Sequence, residues 1–437
     1  MEITPELVGL LGFAVMMLLI VIGVPIAFAM LAVAAGGLFI VGGPVHAETQ
    51  LSLTFGEQGS NFILIAIPLY MLMGQIVYRT DIAKDLYDCV YKWLGRLPGG
   101  LAITSVVACA GFGSISGGSV TAVATMGPMC MPAMRRYGYD DSLAAGSIAS
   151  AGTLGILIPP SIVLVVYGIW TETSIGALFL AGIVPGILMT LAYSGTIYVR
   201  CKRNPKLGPV GEKFSISEKF SSLVKLLPVL TTFMVVIGGI YLGVFTPTEA
   251  AAFGVFSLFG IALVMGRMSW KVLGMTLRET MHLTGMIFVI IIGGHMMGKF
   301  VVLTGLTSGM IDWIMALELS GLGVILLFSL LFIALGMVLD IWGMLILTIP
   351  FTFPIILKLG YDPVWFGVYT VIMSELALIT PPVGINVFVM AKVAPDVPLN
   401  VIFKGVLPFF LATLVLVAIL TLFPGITLWL PHSAGMT

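Results

Sequence analysis

Twelve apolar segments of membrane-spanning length follow one another along the chain, separated by polar or Pro/Gly-rich breaks. A helix crosses the hydrocarbon core of a bilayer with about 20 apolar residues, so these segments leave no room for a soluble domain. They cover residues 6–23, 25–42, 60–78, 101–133, 141–170, 175–199, 226–245, 248–266, 281–303, 321–357, 362–391 and 401–430. The sequence therefore predicts an all-α polytopic membrane protein.

The composition agrees with a fold whose solvent is lipid. Hydrophobic residues make up 59% of the chain and charged residues 9%, and the mean hydropathy is +1.14. The basic and acidic residues balance at 20 each, so no net charge favours binding to nucleic acid. The cysteines at 89, 109, 130 and 201 have neither paired nor metal-ligand spacing, so we expect no disulfide. The N-terminus lacks the features of a signal peptide, and its first apolar segment is expected to remain as a span.

The chain contains an internal repeat with an offset of 222 residues. The offset places five prolines of the first half on prolines of the second, and Gly138-Tyr139-Asp140 on Gly360-Tyr361-Asp362. The matched prolines are Pro25, Pro128, Pro132, Pro159 and Pro160 with Pro247, Pro350, Pro354, Pro381 and Pro382. Duplicated halves with a binding site between them are typical of secondary transporters.

Two of the apolar segments, 101–133 and 321–357, are interpreted as re-entrant helical hairpins because each is broken by Gly and Pro. Each half then has five spans, and an odd number inverts the second half relative to the first. We expect a first repeat over 1–200, a cytoplasmic linker over 201–225 and a second repeat over 226–437. This topology places every Lys and Arg except Lys299 and Lys358 on the cytoplasmic side, with both termini periplasmic.

A short amphipathic stretch precedes each predicted hairpin. In 81–97, an apolar stripe formed by Ile82, Leu86, Val90, Trp93 and Leu97 opposes a charged face. The second half has its counterpart at Leu306, Met310, Trp313 and Leu317. The pattern predicts two helices lying in the membrane interface, and the alternative is a simple connecting loop.

Each hairpin is paired with a segment broken by two prolines. The first hairpin tip is rich in Gly and Ser over 111–121, and the broken helix at 141–170 carries Pro159-Pro160. The second tip spans 336–343, and the broken helix at 362–391 carries Pro381-Pro382. Proline frees upstream carbonyl oxygens, and small residues allow close approach to an ion. Two related cation sites follow, and the alternative is a packing seam of small residues with proline kinks.

Ionisable residues at membrane depth are further candidates. Asp340 in the second tip could supply a carboxylate to a cation site, or be an exposed periplasmic residue. Glu375 could be an oxygen ligand or the partner of a neighbouring hydroxyl. His295 and Lys299 lie one helical turn apart and could meet an anionic substrate. The alternative for Lys299 is a lysine that reaches out to the interface.

Other functional classes are disfavoured. The run from Gly293 to Phe300 nearly matches a phosphate-binding loop, but it lacks the Ser/Thr after Lys299 and lies in an apolar helix, so we expect no nucleotide. The four histidines, His46, His282, His295 and His432, are too scattered for a catalytic site, so we expect no enzyme. An ion channel would need a continuous polar pore, which the two separate ion sites do not provide.

The runs GFGSISGGSVTAVATMGPMCMPAMRRYGYD, GTLGILIPPS and ELALITPPVGIN resemble the large membrane subunit of the tripartite ATP-independent periplasmic (TRAP) transporters, and the likeness covers essentially the whole chain. The resemblance implies an elevator mechanism in the bacterial inner membrane, driven by two or more Na⁺ ions. It also implies a small membrane subunit and a periplasmic substrate-binding protein as partners. The alternative is a stand-alone sodium-coupled carboxylate symporter.

The resemblance also implies site residues. Sodium is expected at Ser114, Ser116, Gly117, Gly152, Gly155, Pro159, Gly336, Asp340, Thr380 and Pro381. Apart from the resemblance, we assign substrate binding to Lys299, His295, Ser119 and Thr153. The implied substrates are C4-dicarboxylates, sialic acid and related acids, and the sequence looks most like the sialate-type members.

Overall fold

The computed structural model describes residues 4–337 and 339–436, and over these ranges every regular element is helical. The α-helices are α1 Pro5–Val21, α2 Ile26–Gly59, α3 Ala66–Arg79, α4 Ile82–Leu94, α5 Gly100–Ser116, α6 Ser119–Arg136, α7 Asp141–Ala151, α8 Leu154–Leu157, α9 Ile162–Thr171, α10 Ile175–Arg203, α11 Ile216–Leu223, α12 Leu227–Phe233, α13 Gly239–Tyr241, α14 Pro247–Val264, α15 Trp270–Leu303, α16 Leu306–Ala316, α17 Gly321–Gly336, α18 Ile341–Lys358, α19 Pro363–Ala377, α20 Ile385–Val393, α21 Leu399–Leu422 and α22 Gly425–Ser433. Short 3₁₀ segments at Phe62–Ile65 and Val224–Leu226 and a π-helical turn at Met234–Gly238 connect some of them.

The prediction of an all-α polytopic membrane protein is confirmed. Within the described ranges, eight helices are long and apolar enough to cross a membrane, or nine if a bent pair counts as one span. The polar stretch at 43–60, which lies between two apolar segments, is helical, because α2 continues through it after a kink. Gly43 forms this kink at a φ of 80°, a conformation that glycine adopts without strain.

Each predicted hairpin consists of two helices joined by a short turn. In the first, α5 and α6 meet at Gly117-Gly118, where Gly117 adopts a φ of 60°. In the second, α17 and α18 are joined by residues 337–340, of which Val338 lies outside the described residues. Helix α6 covers 119–136 and α18 covers 341–358, so the repeat offset of 222 residues recurs in the helix bounds.

Both Pro-Pro pairs interrupt helices, as the sequence predicts. Helices α7 and α8 are bent by 43° from α9 across Ile158–Ser161. Helix α19 likewise ends before Pro381-Pro382, and α20 begins at Ile385. Proline has no N–H to donate to the fourth residue before it, so neither pair can lie inside a continuous helix without losing hydrogen bonds. Both Pro-Pro peptide bonds are cis.

Helix α4 forms the predicted amphipathic stretch, but its charged face is partly buried. Asp85 is 7% exposed and accepts a hydrogen bond from Arg267. Lys225 forms a second ion pair with Asp85, at 3.2 Å. Arg267 further donates to the carbonyl of Thr80 at 3.1 Å. These contacts tie the stretch before the first hairpin to the loop between α14 and α15.

An ion-pair cluster joins the end of the first hairpin to the second half. Arg135 in α6 donates to Asp141 at 3.0 Å and to Asp396, between α20 and α21, at 3.1 Å. The hydrogen bond from Arg135 lowers the pKa of the exposed Asp396 carboxyl below its ordinary value. The attraction is therefore present above the ordinary carboxyl pKa and is lost as the pH falls through the lowered one.

Candidate functional site

The two hairpin tips open onto one cavity of about 340 Å³. The first tip contributes Ser116–Thr121 and the second contributes Asp340–Trp342. Helices α3 and α15 form the opposite wall. The sequence predicted each tip separately, and the structure brings both to the same space, which we call the inter-tip cavity.

Four helices begin at the inter-tip cavity. The first residues of α6, α9, α18 and α20, which are Ser119, Ile162, Ile341 and Ile385, all line it. A helix N-terminus presents unpaired N–H groups and a partial positive charge, so it favours anions. Among the described residues, Asp340 is the charged side chain of the lining, and no Lys or Arg belongs to it. Ser161 caps α9, Asp340 caps α18 and the Asn386 N–H in α20 bonds to Leu378, so the backbone N–H groups left for an anion are chiefly those that begin α6.

The first tip packs directly on the first Pro-Pro break. A Cβ placed on Gly113 would lie 2.3 Å from the Cα of Gly155, and one on Gly117 would lie 2.9 Å from the carbonyl oxygen of Pro160. A Cβ on Gly155 would likewise lie 2.9 Å from the carbonyl oxygen of Gly118. Glycine is required at these positions because backbone meets backbone.

Oxygen atoms concentrate at this contact. The prolines at 159 and 160 supply no N–H to the carbonyls of Gly155 and Ile156 four residues earlier, which leaves those oxygens without helical donors. The Ser116 hydroxyl is buried and has no hydrogen-bond partner within the described residues. Ser114 donates to the carbonyl of Gly111 at 2.7 Å and so has its lone pairs free. Carbonyl and hydroxyl oxygens in this arrangement suit a hard monovalent cation.

The second tip is built differently. Asp340 caps α18 by accepting from the N–H of Gly343 at 2.9 Å, and a Cβ on Gly336 would lie 1.9 Å from the Cβ of Ala377. The carbonyls of Ala377 and Leu378, which the second proline pair leaves without helical donors, accept from Thr380 N and Asn386 N at 3.1 Å each. The Thr380 hydroxyl donates to Leu376, and Pro381 is exposed. A cation here would depend more on the Asp340 carboxylate than on freed carbonyls.

Two further predicted residues lie deeper in the first broken helix. A Cβ on Gly152 would lie 3.1 Å from the carbonyl oxygen of Ser119, so Gly152 also permits close packing on the hairpin. Thr153 is buried and donates to the carbonyl of Ser150 at 2.6 Å. Neither Gly152 nor Thr153 lines the inter-tip cavity, whereas Ser119 does.

Lys299 and His295 line a different cavity, of about 600 Å³, between α2, α15 and α18. Lys299 donates to Thr54 at 2.9 Å and forms an ion pair with Glu57 at 3.4 Å, both in the continuation of α2. His295 accepts a hydrogen bond from the indole of Trp170 at 2.9 Å. The structure does not bring these two residues to the tips, and their role in substrate binding stays a prediction. The run from Gly293 to Phe300 lies inside α15, with no turn for a phosphate.

Two polar side chains near the tips were not among the predicted site residues. Gln75 in α3 lines the inter-tip cavity, and its side-chain oxygen is buried without a partner. Asn386 in α20 donates to the hydroxyl of Ser119 at 2.8 Å. Gln75 lies in the apolar segment 60–78, and an amide inside such a segment is the signal that could have identified it.

Comparison with known proteins gives a consistent result. The family described as "Tripartite ATP-independent periplasmic transporter, DctM component" matches residues 13–426. A C4-dicarboxylate TRAP transporter large permease protein from Pseudomonas aeruginosa is 36% identical over 89% of this chain and 90% of its own length. A sialic acid TRAP transporter large permease protein from Vibrio cholerae is 31% identical over 94% of this chain and 95% of its own.

A solved structure shares the fold. The crystal structure of the YdaH transporter from Alcanivorax borkumensis superposes with a TM-score of 0.58, covering 90% of this chain and 89% of that one. The two sequences are 14% identical, so this likeness concerns the fold alone.

Proposed function

Because the chain belongs to the DctM family of tripartite ATP-independent periplasmic transporters, we propose that it carries a small organic anion across the inner membrane together with sodium ions. One observation carries the proposal. Both hairpin tips and four helix N-termini converge on a single cavity, and this convergence supports an anion site between two candidate cation sites. Neighbouring sites of opposite charge favour joint binding of the anion and the cations.

The sodium sites are proposed where each hairpin meets its broken helix. The oxygens of Ser116, Gly155 and Ile156 support the first site, and the Asp340 carboxylate supports the second. The same offset that relates the two halves in sequence relates α6 to α18, which supports a repeat. Five spans per half, as we propose, would invert the second half relative to the first. An elevator-type movement would carry the hairpins and broken helices past α2, α3 and α15.

The proposed substrate is a C4-dicarboxylate or a sialic acid. The relative named for C4-dicarboxylate shares more identity with this chain than the one named for sialic acid, although the sequence motifs look most like the sialate type. A cavity of about 340 Å³ lies in the range of sites for small molecules. In the proposed assembly, a periplasmic binding protein delivers the anion and a separate small membrane subunit completes the transporter.

The function is tested by uptake into vesicles that contain this chain with its small subunit. Labelled succinate or sialic acid is added together with the loaded binding protein, under an inward sodium gradient or with potassium instead. We expect uptake only with sodium and the binding protein. Uptake without the binding protein would favour a stand-alone symporter, and sodium flux without an organic anion would favour a channel.

The inverted topology predicts which positions can be labelled from the periplasm. In a variant without the four native cysteines, single cysteines replacing Gly43 and Glu172 should react with an impermeant maleimide, and one replacing Lys206 should not. Permeabilised cells, in which all three sites should react, are the control. Labelling at Lys206 in intact cells would contradict both the inversion and the periplasmic termini.

Asp340→Asn is expected to raise the sodium concentration needed for half-maximal uptake. The amide oxygen can still cap α18 at Gly343, so folding is preserved, but the negative charge is lost. A charge-assisted interaction of about 1.5–3 kcal/mol corresponds to a change of about tenfold or more. Sodium titration of uptake measures it, and an unchanged titration would exclude Asp340 as a ligand.

A further inference from the structure

Glu375 is a buried carboxyl group that the proposed sodium sites do not use. It lies in α19 and is 0% exposed. Neither carboxylate oxygen has a hydrogen-bond partner, and no Lys, Arg or His pairs with it, within the described residues. An ionised carboxylate in such surroundings is so unfavourable that it is neutralised, either by a proton or by a bound cation.

The side chains around Glu375 distinguish these two possibilities. The hydroxyl of Ser119 lies beside the carboxylate, outside good hydrogen-bond geometry. Asn386 directs its NH₂ group at that hydroxyl, at 2.8 Å, and at the carbonyl of Ala149, at 3.3 Å. The Ser119 hydroxyl and the Ala149 carbonyl therefore already accept hydrogen bonds from the Asn386 NH₂ group. The hydrogens of that group would repel a metal cation.

A proton fits the unsatisfied groups better than a metal ion. Within the described residues, the side-chain oxygen of Asn386 is buried and lacks a donor, and both oxygens of Glu375 lack one as well. Buried acceptors without donors are rare in folded proteins. A proton on Glu375 removes the buried charge and turns one of its oxygens into a donor, whereas a sodium ion would need several oxygens free to turn toward it.

We propose that Glu375 is a proton-binding site inside the transport machinery, and that its proton and the sodium ion of the first tip oppose each other's binding. Ser119, the first residue of α6, connects the two sites, because it lies beside Glu375 and lines the inter-tip cavity. Loss of the proton leaves a negative charge near the first tip, and this charge favours a cation there. The consequence for sodium rests on the proposed function, whereas the protonation itself does not.

Few other titratable groups face Glu375. Tyr193 from α10 lies near it and hydrogen-bonds to Thr413 at 2.8 Å. Tyr167 from α9 reaches the opposite end of α19, where it donates to the carbonyl of Pro363 at 2.8 Å. The remaining titratable groups on the helices packed against α19, on α19 itself, or capping α18 and α19 have no hydrogen bond or ion pair with Glu375 in the described structure: Tyr198, Arg200, Cys201, Lys202, Arg203, Asp340, Lys358, Asp362, Tyr369, Lys404 and His432.

The first test is infrared difference spectroscopy on the purified protein without sodium, at neutral pH. We expect the wild type to show the carbonyl band of a protonated carboxylic acid, shifted in heavy water, which E375Q lacks. D340N is the matched control and should retain the band. A wild-type spectrum without this band would show that Glu375 is ionised and would overturn the proposal. So would a radioactive sodium count that falls by one ion in E375Q, because the site would then hold a cation.

The second test measures sodium affinity against pH by radioactive sodium binding. Raising the pH through the range in which the infrared band disappears should strengthen wild-type sodium binding about fivefold or more, the lower end of typical coupling between two sites. E375Q should bind sodium as weakly as the wild type at low pH, with no dependence on pH. Equal pH dependence in both proteins would overturn the coupling. If neither protein binds sodium, the proposed function fails, while the infrared band still decides whether Glu375 is protonated.

Discussion

Replacing Pro159 and Pro160 with alanine is expected to abolish sodium-driven uptake while the amount of protein in the membrane stays near the wild-type level. Alanine restores the N–H groups that the carbonyls of Gly155 and Ile156 lack, so the helix can close across the break. The apolar content of the span is unchanged. Loss of two carbonyl ligands, at about 1 kcal/mol each, raises the half-saturating sodium concentration about thirtyfold.

The experiment has two matched comparisons. Pro408→Ala changes a proline inside α21, away from the inter-tip cavity, and should leave sodium dependence unaltered. The double change at Pro381 and Pro382 should have a smaller effect on affinity, because the carbonyls of Ala377 and Leu378 already accept hydrogen bonds. If each break serves one ion, each double variant should also make the sodium dependence less steep. If the variant with alanine at 159 and 160 has normal sodium affinity and a normally steep sodium dependence, the breaks serve only helix packing.

Gly113→Ala is expected to cause a large loss of stability and uptake from a single added methyl group. Its Cβ would lie 2.3 Å from the Cα of Gly155, so the first hairpin must move away from the broken helix. Overpacking of this kind costs about 1–3 kcal/mol and would also separate the oxygens of the first cation site. We expect lower thermal stability of the purified protein and a strong fall in uptake.

Gly111→Ala is the matched control because it lies in the same helix, two residues earlier. Its Cβ would lie 3.1 Å from the end of the Leu86 side chain, which can rotate away. This variant should keep most of its stability and uptake. Equal behaviour of the two alanine variants would show that the backbone contact at Gly155 does not hold the first site together.

The local breaks could be predicted from the sequence because Gly and Pro act on their own backbone. The hairpin expected at 101–133 is formed by α5 and α6, over 100–136. Both helix breaks lie at the Pro-Pro pairs that the sequence identifies. The continuation of α2 through 43–60 could not be predicted in this way. Glu57 in that stretch pairs with Lys299, far away in the sequence, and such a contact leaves no local pattern.

The candidate site was only partly predictable for the same reason. Sequence patterns identified the two tips and the two breaks, but not that four helix N-termini meet at one cavity. A lysine was expected to bind the anion, because a basic side chain is visible in a sequence and a converging set of backbone N–H groups is not. The cap that Asp340 forms on α18 likewise depends on where the helix begins.

We propose that two sodium sites, one at each hairpin, drive uptake of the anion. It is tested most directly by counting radioactive sodium bound per chain in the purified protein, with and without the anion. The wild type should bind two or more ions, and Pro159-Pro160→Ala-Ala should lose one of them while D340N weakens another. A wild-type count of zero, or a count that neither variant changes, would contradict the account.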